Sequence, residues 1–356
     1  MQTVFVPFIF VFGVIGNLLA IGCFLSQSLR STSCCLYLAA KCSSDTIFLA
    51  ALFVMWLQRV HVEAVNVQGV CQLTVFFSYV SGFVSVWLVL AITYENYIRI
   101  CCPVLAKVRC TRRVALTLIT AIVVFAVIFY SFALWTTNVL GSGTETPLCM
   151  SLIKFKDVLM VMTFIDTLIT LVLPCLIIVP LVATSLLAIL QALDRKNRLH
   201  DSLLGNNKTH LRFLNSLEAK VAKFLLTVSL TFLLLHTPGH LIRLKLLIGQ
   251  FILHAPLADT DAMLQRLFET LYYFNFCCSV VIFLASGANF RAIFVSMYFR
   301  RLGALHSACA DSLNLNMQKR SVTSSCENQA FDPESQLTTT ESVLTTDTGH
   351  QSIDRP

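Results

Sequence analysis

Seven long apolar runs follow one another along the chain, and they constrain its fold more than any other feature. They lie at about residues 4–25, 36–57, 73–98, 114–139, 158–190, 221–248 and 263–286. Each run is long enough to cross a bilayer, since a helical crossing takes about 20 residues. Lipid offers no partners for backbone N–H and C=O groups, so each run must satisfy them internally as a helix. The sequence therefore predicts an all-α membrane protein, a bundle of seven transmembrane helices.

The composition supports this interpretation and argues against two soluble classes. Of the 356 residues, 56% are hydrophobic and 13% are charged, with a mean hydropathy of +0.75. A soluble domain carries about 25% charged residues, so a soluble enzyme is not expected. The net charge of +7 does not indicate nucleic acid, because the basic residues cluster between the apolar runs. The fourteen cysteines include no CxxC pair and no metal-ligand spacing, so no cysteine-ligated metal site is predicted.

The basic residues also predict the topology. The connections around residues 30, 99–113, 195–223 and 291–301 hold sixteen Lys and Arg, and the opposite set holds six. Cytoplasmic connections carry the excess of Lys and Arg in membrane proteins. We therefore expect the N-terminus outside and the C-terminus in the cytoplasm. The sequon at Asn207 then falls in a cytoplasmic segment and is expected to stay unmodified.

Two further segments follow the seventh run. Residues 289–302 carry apolar side chains at helical spacing with arginines interleaved, which predicts a short amphipathic eighth helix on the inner membrane surface. Residues 303–356 are rich in Ser, Thr, Asn and Gln, which predicts a disordered cytoplasmic tail. The expected organisation is a seven-helix domain over residues 1–302 and a tail over residues 303–356.

Polar residues inside the apolar runs mark candidate sites. Asn17 lies in the first run and Asp45 in the second. An ionisable side chain inside a membrane helix is costly, so it indicates function unless it is paired. Lys41 lies one turn before Asp45, on the same helix face, so a local ion pair is one interpretation of this acid.

Motif spacing resembles one family over about residues 4–302. The third run begins after Cys71 and ends in Glu95-Asn96-Tyr97, and the sixth contains His236-Thr237-Pro238. These features, with Asn17 and Asp45, are similar to the pattern of rhodopsin-like (class A) G-protein-coupled receptors. The resemblance implies a receptor that binds an extracellular ligand and signals to a heterotrimeric G protein through outward motion of the sixth helix about Pro238.

The chain departs from that family at three activation motifs. Asn96 stands where the family has an arginine, and His236 stands where it has a tryptophan. Ser279, Val280 and Phe283 replace the Asn, Pro and Tyr of the Asn-Pro-x-x-Tyr motif. The residues expected to take part in activation and coupling are Glu95, Asn96, Tyr97, Arg99, Glu218, His236, Pro238 and Phe283.

Arg99 lies one turn beyond Asn96, and two roles are open for it. It could take over the pairing with Glu218, the inner acid of the sixth helix in the resemblance. It could instead meet phosphate headgroups at the membrane surface.

The resemblance implies two further sites. Cys71 and Cys149 are the only cysteines clearly in outer loops, where the family has a disulfide. A sodium ion or water pocket is expected near Asp45, with Lys41 as the competing partner of the acid. Its residues would be Asn17, Asp45, Ser85, Asn275 and Ser279.

A ligand pocket is expected in the outer half of the bundle. Its candidate residues are Gln72, Ser78, Asp166, His240, Arg243, Gln265 and Glu269. Ser78 stands where amine receptors carry an aspartate, and the seventh run has no lysine for a retinal Schiff base. Two acids and a base would suit a peptide with a basic side chain. The sequences at 238–243 and 285–291 look most like invertebrate neuropeptide receptors of the FMRFamide and thyrotropin-releasing-hormone types.

Three alternatives to a peptide receptor stay open. One is a chemosensory receptor for small molecules, and another is a receptor-fold protein with weakened or no G-protein coupling. A transporter is less favoured, because no internal repeat is visible in the sequence. The further expectations are a plasma-membrane location and arrestin binding through the Ser/Thr-rich tail.

Overall fold

Seven membrane helices form the body of the protein. The computed structural model describes residues 2–27, 29–140, 148–202, 217–251 and 259–299. The first four membrane helices are Gln2–Phe24, Ser33–Arg59, Val70–Cys101 and Arg112–Thr136. The fifth consists of Lys156–Thr167, Leu168–Val172 and Leu173–Ser202, the sixth is Leu217–Phe251, and the seventh consists of Asp259–Cys277 and Ser279–Ser286. The predicted fold class is therefore confirmed.

Short elements connect the membrane helices. Within the described residues these are the helical turns Glu63–Asn66, Pro103–Arg109 and Ile153–Phe155, and a short helix Ala288–Phe294 that continues as Val295–Phe299. The last two cover most of the segment predicted as an eighth helix. Residues 300–356, which include the predicted tail, and the sequon at Asn207 lie outside the described residues.

The fourth helix ends earlier than the sequence predicts. A tight turn, Tyr130–Phe132, leads into its last segment, Ala133–Thr136. The strand Thr137–Leu140 follows, and it pairs antiparallel with Leu148–Ser151. The assignment of residues 137–139 to a helix was therefore wrong. Thr137 and Val139 are β-branched, which favours extended backbone, and the partner strand satisfies the hydrogen bonds of the stretch.

Two of the membrane helices are irregular. The seventh bends by 56° between its two segments, at Cys278. The fifth contains a wide turn at Leu168–Val172. Pro174 follows that turn and has no N–H to donate to a preceding carbonyl, which accounts for the local change in helix geometry.

The third helix is the centre of the bundle. Of its most apolar window, 72% is buried inside the protein, against 22% for the fourth and for the fifth helix. Many side chains of those two helices are exposed apolar groups, such as Ile128 and Leu176, as expected for surfaces that face lipid. The third helix therefore positions many of the polar groups described below.

Small residues allow the first helix to approach its neighbours closely. A Cβ on Gly13 would lie 2.5 Å from Leu49 Cδ1 and 2.8 Å from Cys277 Cβ, and one on Gly16 would lie 2.6 Å from Val280 Cγ1. Helices in a membrane associate through such close contacts, because apolar burial gives no gain over lipid. The first, second and seventh helices are consequently held together next to Asn17, whose amide donates to the carbonyl of Phe276 at 2.9 Å.

Candidate functional site

A disulfide fixes one end of the bundle. Cys71, at the start of the third helix, is bonded to Cys149 in the second strand, with their Cα atoms 5.7 Å apart. Asn66 reinforces this link, because its side-chain oxygen accepts from the backbone N–H of Cys149 at 3.1 Å. We call this the disulfide end of the bundle, and the end that carries Glu95 the Glu95 end. The predicted disulfide pairing is therefore present.

An ion pair links the fifth and sixth helices toward the disulfide end. Asp166 is buried and lies 3.3 Å from an Nη of Arg243. The hydroxyl of Tyr130 also donates to Asp166, at 2.6 Å. Tyr130 was missed at the sequence level, because a tyrosine at the end of an apolar run carries no signal of its partner. The arrangement brings two predicted ligand-binding residues together and neutralises the acid.

Two buried histidines lie on the sixth helix beside this ion pair. The rings of His236 and His240 are 4.0 Å apart, and Tyr272 contacts both. Neither imidazole has a hydrogen-bond partner among the described residues. Buried polar groups are ordinarily hydrogen-bonded, so these four nitrogens are available to a polar ligand or water.

The remaining candidate ligand residues bond within the protein. The Gln72 side chain accepts from the backbone N–H of Gly69 at 2.6 Å, so it caps the third helix. Ser78 donates to the carbonyl of Val75 on its own helix at 2.7 Å. Gln265 donates to Glu269 at 3.0 Å. The structure thus brings Asp166, Arg243 and His240 into one region and gives these four residues local partners.

A polar cluster fills the core of the bundle. The carboxylate of Asp45, which is fully buried, lies 2.5 Å from Nζ of Lys41. Ser85 of the third helix donates to Oδ1 at 2.7 Å, and Ser279 of the seventh donates to Oδ2 at 3.3 Å. Three helices therefore meet at one carboxylate. Asn275, the remaining expected member, is buried, and its Nδ2 has no partner within the described part of the chain.

The core residues do not fit an added sodium ion. Sodium would need the carboxylate oxygens of Asp45, and the Lys41 ammonium already lies against Oδ2. A second positive charge beside the ammonium would be repelled strongly, because the site is buried and of low dielectric. Of the two partners expected for Asp45, the geometry favours Lys41.

A second carboxylate cluster lies at the Glu95 end. Oε1 of Glu95 accepts from Nη2 of Arg99 at 2.7 Å and from Nε at 3.0 Å. The hydroxyl of Ser33, at the start of the second helix, donates to the same oxygen at 2.7 Å. Arg99 thus pairs with the acid of its own helix, an option that was not foreseen although the spacing of four residues was visible. The side chain of Glu218, its expected partner, lies outside the described part.

The position that carries arginine in the family is buried here. Asn96 is 1% exposed, and its side-chain oxygen has no partner among the side chains that the structure describes. Tyr97, next along the helix, is half-buried. A hydroxyl pair instead connects the third and sixth helices, since Thr93 Oγ1 and Ser229 Oγ lie 2.8 Å apart. This contact was also missed, because both residues read as ordinary membrane-helix hydroxyls.

Aromatic rings surround the position that carries tyrosine in the family motif. Phe283 is buried, with ring centroids 5.1 Å from Phe24, 5.7 Å from Phe224 and 5.6 Å from Phe290. Phe283 thus joins the first, sixth and seventh helices and the short helix after them by packing. Pro238 lies within the continuous sixth helix, between Ser229 and Arg243.

A family comparison agrees with this geometry. Residues 16–282 match the model of the family described as 7 transmembrane receptor (rhodopsin family). No curated protein matches the chain. The matched residues cover most of the seven helices and contain the disulfide, the core cluster and the Glu95 cluster. The chain therefore belongs to the rhodopsin family of seven-transmembrane receptors, the class A G-protein-coupled receptors.

Proposed function

We propose that this receptor binds an extracellular neuropeptide at the disulfide end and signals to a heterotrimeric G protein at the Glu95 end. The observation that carries the proposal is the attachment of the sixth helix at two points. Arg243 ties it to Asp166 of the fifth helix, and Ser229 ties it to Thr93 of the third. Pro238 lies between the two contacts.

The two attachments suit a sixth helix that bends at Pro238, between the two contacts. A proline in a helix lacks one backbone hydrogen bond, so the helix bends more easily there. Outward motion of the part of the sixth helix that lies between Pro238 and the Glu95 end would break the Thr93–Ser229 contact. That motion would open a cleft at the Glu95 end. A ligand that binds one arrangement of the Asp166–Arg243 pair better than the other would shift the equilibrium between the two states.

The residues at the disulfide end favour a ligand with both charge and hydrogen-bonding groups. Asp166 can accept a basic side chain, Arg243 can bind a carboxylate or amide oxygen, and His240 has unsatisfied nitrogens. A peptide supplies all three kinds of group. Single small molecules supply fewer, which places the chemosensory alternative second.

The basic connections support an orientation with the disulfide end outside the cell. Lys and Arg are concentrated in the connections at the Glu95 end, which are then cytoplasmic. The plasma membrane follows as the location, with the short helix Ala288–Phe294 on the inner surface and the Ser/Thr-rich tail open to arrestin. Epitope tags at the two chain ends, read in intact and permeabilised cells, test this. Accessibility of both tags in intact cells would contradict it.

A peptide screen tests the ligand. Cells that express the receptor, with surface expression quantified, are exposed to a neuropeptide library while calcium and cAMP are read. We expect a response that Asp166→Asn weakens at least tenfold in potency. A Ser78→Ala variant serves as control, because its hydroxyl bonds only its own helix. Silence across the library at normal surface expression would contradict the proposal.

A pair of substitutions tests this motion of the sixth helix. Thr93→Val and Ser229→Ala should each raise basal G-protein activation, because they remove the contact between the third and sixth helices. Thr227→Val is the matched control, since this exposed hydroxyl bonds only the carbonyl of Lys223 on its own helix. Equal basal activity in all three variants would argue against motion of the sixth helix at this contact.

Asn96 favours a second candidate, a receptor-fold protein with weakened or no coupling. An amide cannot provide the charge-assisted contacts of an arginine. Asn96→Arg should raise basal signalling if coupling is only weakened. Unchanged signalling at normal surface expression would favour the non-signalling alternative.

A further inference from the structure

Lys41 is a charged side chain inside the bundle, and the proposed signalling mechanism does not use it. It is 2% exposed, and its partner Asp45 is completely buried. A buried charge is expensive unless it is paired, so the ammonium and the carboxylate must stay together. They are four residues apart on the second helix. The spacing of four residues on one helix therefore places the ammonium beside the carboxylate.

The groups around the ammonium have the chemistry of a cation site. The carboxylate of Asp45 is joined by the hydroxyls of Ser85 and Ser279, which come from two other helices. Carboxylate and hydroxyl oxygens are the ligands that hard cations such as Na⁺ prefer. Without Lys41, three helices would present these oxygens to one point in the buried core.

We propose that Lys41 is a built-in cation, which holds the position of a sodium ion and makes this receptor insensitive to sodium. Removal of its charge would convert Asp45, Ser85 and Ser279 into a site that binds Na⁺. The charge balance of the core then does not depend on the salt outside the cell. The inference stands on the core geometry and does not rest on the identity of the ligand or on G-protein coupling.

Sodium-dependent stability is the first test. The purified full-length receptor in detergent is heated in NaCl or in choline chloride at equal ionic strength, and the unfolding midpoints are compared. For the wild type we expect the two midpoints to agree within about 1 °C. For Lys41→Met we expect a saturable rise with Na⁺ of about 2–4 °C, the size expected when a ligand binds only the folded state.

Two further variants serve as matched controls. Lys41→Met combined with Asp45→Asn removes both charges and should lose the response to sodium. Lys41→Arg keeps a cation at the same position and should remain insensitive. Lys41→Gln replaces Lys41→Met in the test if the latter does not fold.

Binding of ²²Na⁺ to the purified protein gives a second readout. We expect no saturable site in the wild type and one in Lys41→Met. Saturable binding to the wild type that Asp45→Asn abolishes would overturn the proposal, and it needs no Lys41 variant. Folded Lys41→Met or Lys41→Gln without any sodium response would overturn it as well, because Asp45 would then not be part of a cation site.

Discussion

Two carboxylates in this receptor have the same local arrangement and very different surroundings. Asp45 pairs with Lys41, and Glu95 pairs with Arg99, each across one helical turn. Each also accepts a hydrogen bond from a serine of another helix. In the first pair the basic and acidic side chains are 3% and 0% exposed, and in the second they are 28% and 6% exposed.

The difference in burial changes what each pair does. In the core, neither charge can find another partner, so loss of one leaves the other uncompensated. At the Glu95 end, water and headgroups can solvate the guanidinium of Arg99, so the pair can open at small cost. The first pair therefore suits a structural role and the second a contact that changes between states.

The largest expected effect is that of Lys41→Met. It leaves the Asp45 carboxylate without a cation inside the bundle, and we expect a loss of about 3 kcal/mol in unfolding free energy without sodium. Denaturation of the purified receptor in choline chloride measures it.

Asp45→Asn in the Lys41→Met background is the control for this effect. It removes the uncompensated charge and should recover most of the loss, because an ion pair replaced as a whole by neutral groups is often nearly neutral. A double variant as unstable as Lys41→Met would show that the lysine acts by packing alone.

Arg243→Gln should have an intermediate effect and extends the comparison to a pair between helices. Arg243 is 39% exposed, whereas Asp166 is 6% exposed. Loss of the arginine leaves a buried acid that still accepts from Tyr130, so we expect a loss of about 1–2 kcal/mol. Thermal unfolding of Arg243→Gln measures the loss.

Tyr130→Phe in the Arg243→Gln background tests this explanation. Asp166 would then lose both partners, and the combined loss should exceed the sum of the single losses. Additive losses would show that the two contacts do not share the acid.

The sequence predicts the bundle well because its signal is local. Each apolar run is long enough to require a helix, and a spacing of four residues places Lys41 beside Asp45. The same spacing of four residues separates Glu95 from Arg99, and that local pair also forms.

Contacts between helices were predicted less well. Nothing in the sequence connects Tyr130 to Asp166 or Thr93 to Ser229, because such pairs depend on how the helices rotate against one another. The strand at Thr137–Leu140 was missed for a related reason. Its partner, Leu148–Ser151, stabilises it from outside the apolar run.

Arg99→Gln should change signalling more than stability. The pair with Glu95 is partly exposed, and Ser33 still donates to the acid, so we expect a loss of at most about 1 kcal/mol. If the free guanidinium contacts the G protein, Arg99→Gln should lower nucleotide exchange in membranes, and Glu95→Gln should raise it. Equal exchange rates in both variants would assign the pair a structural role like that of Lys41 and Asp45.

The smallest effect is expected at the most exposed pair. Lys245 of the sixth helix lies 2.6 Å from Asp261 of the seventh, and the lysine is 63% exposed. Surface ion pairs contribute about 0–1 kcal/mol, because water screens them and ordering a long side chain costs entropy. Lys245→Gln should therefore shift the unfolding midpoint by less than about 2 °C, and high salt should remove that shift. A loss as large as that of Arg243→Gln would contradict the ordering by burial, and would mean that the sixth and seventh helices depend on this contact at the disulfide end.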